Sequence, residues 1–212
     1  MGKNKVRFGF SNVHIAFATD EFDQGKPLYE KPIRIYGSVG LTLNFSGNED
    51  KFNADNTLYY TGQQDNGFTG DIEVAEFPNE VLAKIFGYTI DKYGGTLEVS
   101  NGIPRNFALG GQVDGDVYNS RFWMYNCTGS VPNESYKTTG ESKDITTQTM
   151  SLTVVPMDLG NGTQIKKYRI CREGKGIELY DTFFEKVYIP NLTETEKSDL
   201  KSRSTKNTAI GG

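Results

Sequence analysis

The segment 33–46, IRIYGSVGLTLNFS, restricts the fold more than any other part of the chain. Its odd positions are Ile33, Ile35, Gly37, Val39, Leu41, Leu43 and Phe45. Its even positions are Arg34, Tyr36, Ser38, Gly40, Thr42, Asn44 and Ser46. A period of two sends these sets to opposite faces of a strand, one apolar and one small and mostly polar. At about 3.3 Å per residue such a strand would reach roughly 46 Å, and ordinary strands stop at about ten residues. Either Gly37 or Gly40 bends it, or it leaves the domain body as part of a long hairpin.

The same alternation returns twice. In FTGDIEVA, 68–75, Phe68, Ile72 and Val74 oppose Thr69, Asp71 and Glu73. In QTMSLTVV, 148–155, Met150, Leu152 and Val154 point inward, and Thr149, Ser151 and Thr153 point outward. Between the first two segments, GNEDKFNADNTLYYTGQQDN (47–66) reads as a long polar loop, and Asn66-Gly67 as a turn. FPNEVLAKIFG, 77–87, predicts the one clear helix. Pro78 suits its first turn, Val81, Leu82, Ile85 and Phe86 share a face, and Gly87 closes it. Strands are predicted at 95–100, 105–113 and 117–127, with VDGDV (113–117) as a hairpin turn. In 117–127 both faces carry bulk, as in a strand covered on both sides. Residues 132–147 read as a polar loop, and KKYRICREG and EKVYIP as late, short strands. Residues 1–12 read as an extended arm. Residues 191–212, with a capping box at Thr193 and Glu196, read as a surface helix or flexible arm. With 24 glycines and 12% aromatic residues, this is an all-β profile. A length of 212 residues fits one domain over 1–190 followed by a tail over 191–212.

The chemistry-bearing motifs are missing. The single histidine, His14, is expected to be structural. The sequence has no nucleophile elbow, no zinc spacing, no phosphate loop and no dinucleotide fingerprint. Asp114-Gly115-Asp116 opens like a calcium loop, but Tyr118 and Asn119 fall where a ligand and a glycine belong, so it reads as a turn. Asp71 and Glu73 could form an acid pair for glycoside hydrolysis, although exposed acids on a strand are far commoner. Trp123 with nearby tyrosines could make a sugar-stacking platform; its apolar strand favours a core position. Cys127 and Cys171 are too few for a disulfide framework and read as buried thiols. No apolar run is long enough for a membrane span, and MGKNKVRFGF has no secretory core. Net charge is −4, distributed unevenly: residues 1–159 carry 13 basic and 20 acidic side chains, and 160–212 carry 10 and 7. That balance argues against a strongly basic nucleic-acid binder and suits head-to-tail contact.

Over residues 3–156 the chain resembles the major tail proteins, or tail-tube proteins, of long-tailed non-contractile bacteriophages. The resemblance lies in the order and spacing of KNKVRFGFSNVHIAF, FNADNTLYYTGQQDNGFTGDIEVA, FPNEVLAKIFG, FALGGQVDGDV leading to Arg121 and YNCTGSVP, and TQTMSLTVVP. Residues 157–212 carry no recognised motif. The resemblance implies a mainly β protein: a β-sandwich with one flanking α-helix, whose long hairpin strands join an inter-subunit β-barrel. It implies hexameric rings stacked into a tube around a tape-measure protein, with a tail terminator and distal tail or baseplate proteins as further partners. Double-stranded DNA passes through the lumen without specific binding. No cofactor, no catalysis and no membrane are implied. The expected location is the virion tail, assembled in the host bacterial cytoplasm. The inner tube of a contractile tail or secretion system is a related reading. A phage β-sandwich module that binds carbohydrate or a receptor is the alternative from another class.

The residues accept these roles readily. The polar faces of the alternating strands supply lumen-lining candidates: Ser38, Thr42, Asn44, Thr69, Asp71, Glu73, Thr149, Ser151 and Thr153. They carry no cation, so they would not hold phosphate. Arg34 is the exception on that face and is expected at a ring rim. The 47–66 loop, with Phe52, Asp55, Asn56, Tyr59 and Tyr60, is expected to touch the next ring.

Overall fold

Gly37, at φ +74°, splits the long alternating segment into two strands. A side chain there would meet the Ala75 Cβ at 2.7 Å, and the Gly37 carbonyl accepts the Ala75 N–H at 2.7 Å. The computed structural model describes residues 8–23, 25–54, 57–115, 118–134, 146–159, 162–173 and 176–192; of 49–54, 57–61 and 63 it describes the backbone. Along these residues run β1 (Phe10–Asp23), β2 (Lys26–Tyr29), β3 (Ile33–Ile35), β4 (Ser38–Ala54), β5 (Thr57–Val74), α1 (Asn79–Phe86), β6 (Thr89–Ile90) and β7 (Thr96–Leu97). There follow β8 (Phe107–Val113), β9 (Arg121–Gly129), β10 (Gln148–Val154), β11 (Met157–Asp158), β12 (Gln164–Ile165), β13 (Lys167–Ile170) and α2 (Ile177–Asp181).

The fold is mainly β, as expected. Nine strands form one antiparallel sheet in the order β2-β1-β8-β9-β10-β5-β4, with β3 paired to β1 and β13 paired to β9. One face of this sheet wraps the larger core. Val13, Ile15 and Phe17 of β1 meet Leu109 of β8, Phe122 and Met124 of β9, Met150 and Leu152 of β10, and Ile72 and Val74 of β5. Helix α1 covers that face with Val81, Ile85 and Phe86. It begins after Pro78, whose φ of −59° is already near the helical value, and ends at Gly87 with φ 70°. The arrangement is sandwich-like, with one flanking helix, and among the described residues no barrel closes.

Over β1, β8 and β9 the opposite face is also buried. Ala16, Ala108, Trp123 and Tyr125 pack there against Met157, Leu159, Ile170, Tyr180 and Phe183 from the C-terminal part of the chain. Strand β9 therefore buries Phe122 and Met124 on one side and Trp123 and Tyr125 on the other, as its doubled bulk predicts. The Trp123 Nε1–H donates to the Phe183 carbonyl at 3.0 Å, and the Tyr125 hydroxyl donates to the Tyr188 carbonyl. Gly110 lies across from Trp123 because a Cβ there would come within 2.8 Å of the indole.

Several expectations are corrected. Residues 47–66 are not a loop; their described part continues β4 and β5 as a two-stranded arm. Asn66-Gly67 is no turn: Gly67, at φ +107°, lies within β5. Residues 185–190 form no strand and pack as irregular chain on the outer aromatic face. Cys127 is a buried free thiol, as expected, whereas Cys171 is only half-buried and lies 3.5 Å from the Ser120 hydroxyl. Residues 1–7, most of the 132–147 loop and residues 193–212, including the capping box, lie outside the described residues.

His14 joins β1 to the outer layer. Its ring stacks on Phe184 at 4.4 Å, and its Nδ1–H donates to the Asn12 carbonyl at 2.8 Å. Burial lowers its pKa below 6.5; the Asn12 carbonyl opposes this, and Arg34 and Arg121 add to it. The folded state therefore binds the proton less readily than the unfolded chain does. Stability should be full above pH 6.5 and fall as pH drops below it. Thermal melts of wild type and His14→Gln across that window should show a steeper acid loss for wild type.

Candidate functional site

Three strands place the predicted polar residues on one surface. Thr42 and Asn44 of β4 lie beside Asp71 and Thr69 of β5. Asp71 and Thr69 in turn lie beside Ser151 and Thr153 of β10. A third row runs Gly40, Glu73, Thr149. Within a row the side chains share a face because antiparallel partners point the same way. Thr42, Asn44, Thr69, Asp71, Thr149, Ser151 and Thr153 are exposed, and Glu73 is half-buried. Beneath them Ile72, Met150 and Leu152 are buried, and Leu41 and Leu43 pack against the same core. The Ser151 hydroxyl donates to an Asp71 carboxylate oxygen at 2.7 Å, and the Thr147 hydroxyl donates to Glu73. Each acid is thus held by a neighbouring hydroxyl on an open sheet face. A catalytic acid pair is ordinarily set in a cleft, whereas these two acids stand on an open strand face.

Ser38, a predicted member, and Arg34, the expected exception, lie elsewhere. A register shift between Ser38 and Gly40 sets Ser38 opposite Val74, the inward-facing side of β5. Ser38 is half-buried and its hydroxyl donates to the Phe10 carbonyl at 3.4 Å. Arg34 is on β3, opposite His14 of β1, and its guanidinium sits 4.9 Å over the Tyr36 ring. Gly37 separates it from the polar face, so the cation that seemed to interrupt that face does not belong to it.

Beyond this surface the hairpin projects. β10 ends at Val154, opposite Phe68, while β4 and β5 stay paired from Gly47 and Asp65 out to Ala54 and Thr57. Eight residues of β4 at about 3.4 Å each make an arm on the order of 27 Å long. Phe52 lies opposite Tyr60, and a shift between Phe52 and Asn53 leaves Tyr59 without a direct partner across the ladder. Asp55 and Asn56, at the expected tip, lie outside the described residues.

One feature escaped sequence reasoning. β4 is the terminal strand of the sheet, so its outer edge is unpaired among the described residues. Beside it lies a groove of about 380 Å³, lined by Phe8, Phe10, Val39, Leu41, Leu43 and Phe122, with Lys167 also in its wall. Val39 and Phe8 are exposed there although both are large and apolar. The alternation of 33–46 carries part of the signal, because it sets Val39, Leu41 and Leu43 at alternate positions of one strand, and all three line this groove.

The fold also places the other candidate residues. Trp123 is fully buried, so it offers no stacking platform. Asp114 belongs to a turn: its backbone exchanges hydrogen bonds with Phe8 and Gly9, and its carboxylate accepts from Gln112 at 2.8 Å. Among the described residues there is no group of three or more histidine, cysteine or acidic side chains that could hold a metal. Among the same residues no helix is long and apolar enough to cross a membrane. Burial raises the Cys127 thiol to about 12, which removes it as a nucleophile.

No family model and no curated protein matches the chain. Among solved structures it is similar to a chain of the six-fold symmetrised cryo-EM structure of the anti-feeding prophage (AFP) baseplate. The identity is 8% and the TM-score 0.41, over 81% of this chain and 98% of that one.

The two sides of the sheet should respond differently to substitution. Asp71→Lys or Glu73→Lys should change unfolding stability by no more than about 0.5 kcal/mol, the range of surface changes. Leu152→Ala, directly beneath, should cost about 2–5 kcal/mol. Urea titration of the three variants measures both.

Proposed function

We propose that this chain is the subunit of a phage tail tube. Copies close into a ring, six of them in the family it resembles, and rings stack head to tail into a conduit for double-stranded DNA. The observation that supports this best is the ribbon of β4, β5 and β10, with an apolar underside, a polar outer face and an unpaired outer edge. An open edge beside exposed apolar residues is a liability for a solitary chain and a joint for a repeated one. Set against a neighbour's sheet, β4 would carry the polar face around a bore, and the inter-subunit barrel expected from the resemblance would follow.

The wall suits its cargo. The rows formed by Thr42, Asn44, Thr69, Asp71, Glu73, Thr149, Ser151 and Thr153 contain hydroxyls, an amide and two carboxylates, but no lysine or arginine. Basic groups would neutralise phosphates, release counterions and hold DNA in place. A weakly acidic wall lets the polymer slide, repelling it within the roughly 8 Å Debye length of physiological salt. The role needs neither catalysis nor a cofactor. In it the chain would also meet a tape-measure protein inside the bore, and terminator and baseplate proteins at the two ends.

The arm is then the element that reaches the next ring. It leaves the body at the end of the polar face, where a ring would present it along the tube axis. Head-to-tail stacking has no internal stop, so another molecule would set the length.

Negative-stain microscopy of the purified protein at rising concentration should show rings or tubes. A protein that stays monomeric throughout would sink the reading. Virions carrying Asp71→Lys with Glu73→Lys should assemble tails of normal length yet eject DNA poorly, as measured by DNA release. Normal ejection would remove these two acids from the lumen.

A further inference from the structure

The two strands of the arm leave the sheet at one joint. Past Phe68, β5 loses its partner β10, and a register shift falls between Ser46 and Gly47. Two glycines mark the place. A Cβ on Gly67 would lie 1.8 Å from the Val154 carbonyl oxygen, and one on Gly47 would lie 2.3 Å from the Gln64 carbonyl oxygen. The joint thus combines a break in lateral support with backbone contacts too close for side chains.

Lys166 crosses this joint from another part of the fold. Its carbonyl accepts the Tyr125 N–H at 3.1 Å, which fastens its backbone to β9 just before β13 pairs with the same strand. Its ammonium lies 4.2 Å from the centre of the Phe68 ring and 5.1 Å from that of Phe45. The same ammonium pairs with one carboxylate oxygen of Asp65, while the other accepts the Gly67 N–H at 2.9 Å. Phe45 and Phe68 belong to the body side of the joint, and Asp65 to the arm side. The Lys166 side chain is 23% exposed, so its contacts are partly withdrawn from water.

We propose that Lys166 is a latch that sets the angle of the arm on the sheet. Seated, it makes the arm a rigid continuation of β4 and β5. Released, it lets the arm turn about Gly47 and Gly67. The purpose of the latch, aiming the arm at the next copy, rests on the tube reading; the latch itself is a property of the single chain. Lysine suits the task because one compact cation can satisfy two ring faces and a carboxylate together. Salt opposes the pairing with Asp65 and so favours release.

The test is a distance distribution measured by electron spin resonance on dilute, monomeric protein. Spin labels are placed at Thr57→Cys on the arm and Asn79→Cys on α1, in a Cys171→Ser background with the buried Cys127 left in place. The otherwise unaltered protein should give one narrow distance peak. Lys166→Met, which keeps the apolar stem against the two rings, and Asp65→Asn should each replace it with a broad distribution, and raised salt should broaden it too. A narrow peak retained in both variants, with native circular dichroism, overturns the proposal, as does a broad peak at low salt in the unaltered protein. Should Lys166→Met fail to fold, Asp65→Asn decides. Absence of tubes at high concentration would count against the tube reading alone; unchanged distance peaks would count against the latch alone.

Discussion

Over residues 122–125, strand β9 has no solvent face, and the remaining architecture follows from that. Phe122 and Met124 commit one side of it to the core shared with β1, β5, β8, β10 and α1, and Trp123 and Tyr125 commit the other to the C-terminal segment. A strand buried on both sides needs two covering layers. It also needs partners for the polar atoms its large rings carry inward. Here these are main-chain carbonyls of Phe183 and Tyr188, so irregular chain is held in place by indole and phenol groups. Arg121 extends the arrangement, with its guanidinium 4.0 Å over the Tyr180 ring and its Nε–H donating to Gln112.

The sequence was legible where a strand has one wet face. β10 and the body half of β5 showed their alternation, and the structure buries Met150, Leu152, Val154, Ile72 and Val74 accordingly. Helix α1 was legible from the stripe Val81, Ile85, Phe86 and its closing glycine. The arm was not, because residues 47–66 lack the alternation of polar and apolar positions on which strand recognition depends. Asn66-Gly67 misled for a related reason: a glycine with positive φ serves a bulge as well as a turn. The slip at Ser38, which carried that residue off the polar face, leaves no trace in composition. The C-terminal layer was legible only at KKYRICREG, which holds β13; Phe183, Phe184 and Tyr188 meet the sheet through irregular backbone, without a period. EKVYIP alternates like a strand, but Tyr188 gives its carbonyl to Tyr125 instead of to a ladder.

Charge is sorted by position more sharply than the overall balance suggests. Among the described residues, the rows that β4, β5 and β10 share on the open face hold two carboxylates and no cation. Arg34 lies beyond Gly37, Lys166 lies at the joint of the arm, and Lys84 and Arg105 share Glu30 near α1. Each of these cations has a ring or an acid as neighbour. In residues 160–212, Lys166 meets Asp65 and Lys167 lies over the Phe122 ring, so net charge alone would misjudge the surface.

The second layer also has a place in time. Strands β1 to β10 precede residue 155, whereas the residues that cover Trp123 and Tyr125 come from 157 onward. During synthesis the sheet's aromatic side is made before its cover. A nascent chain stalled between these points has its strands but an uncovered apolar flank, so the subunit is sealed only once residues 157–192 have been made.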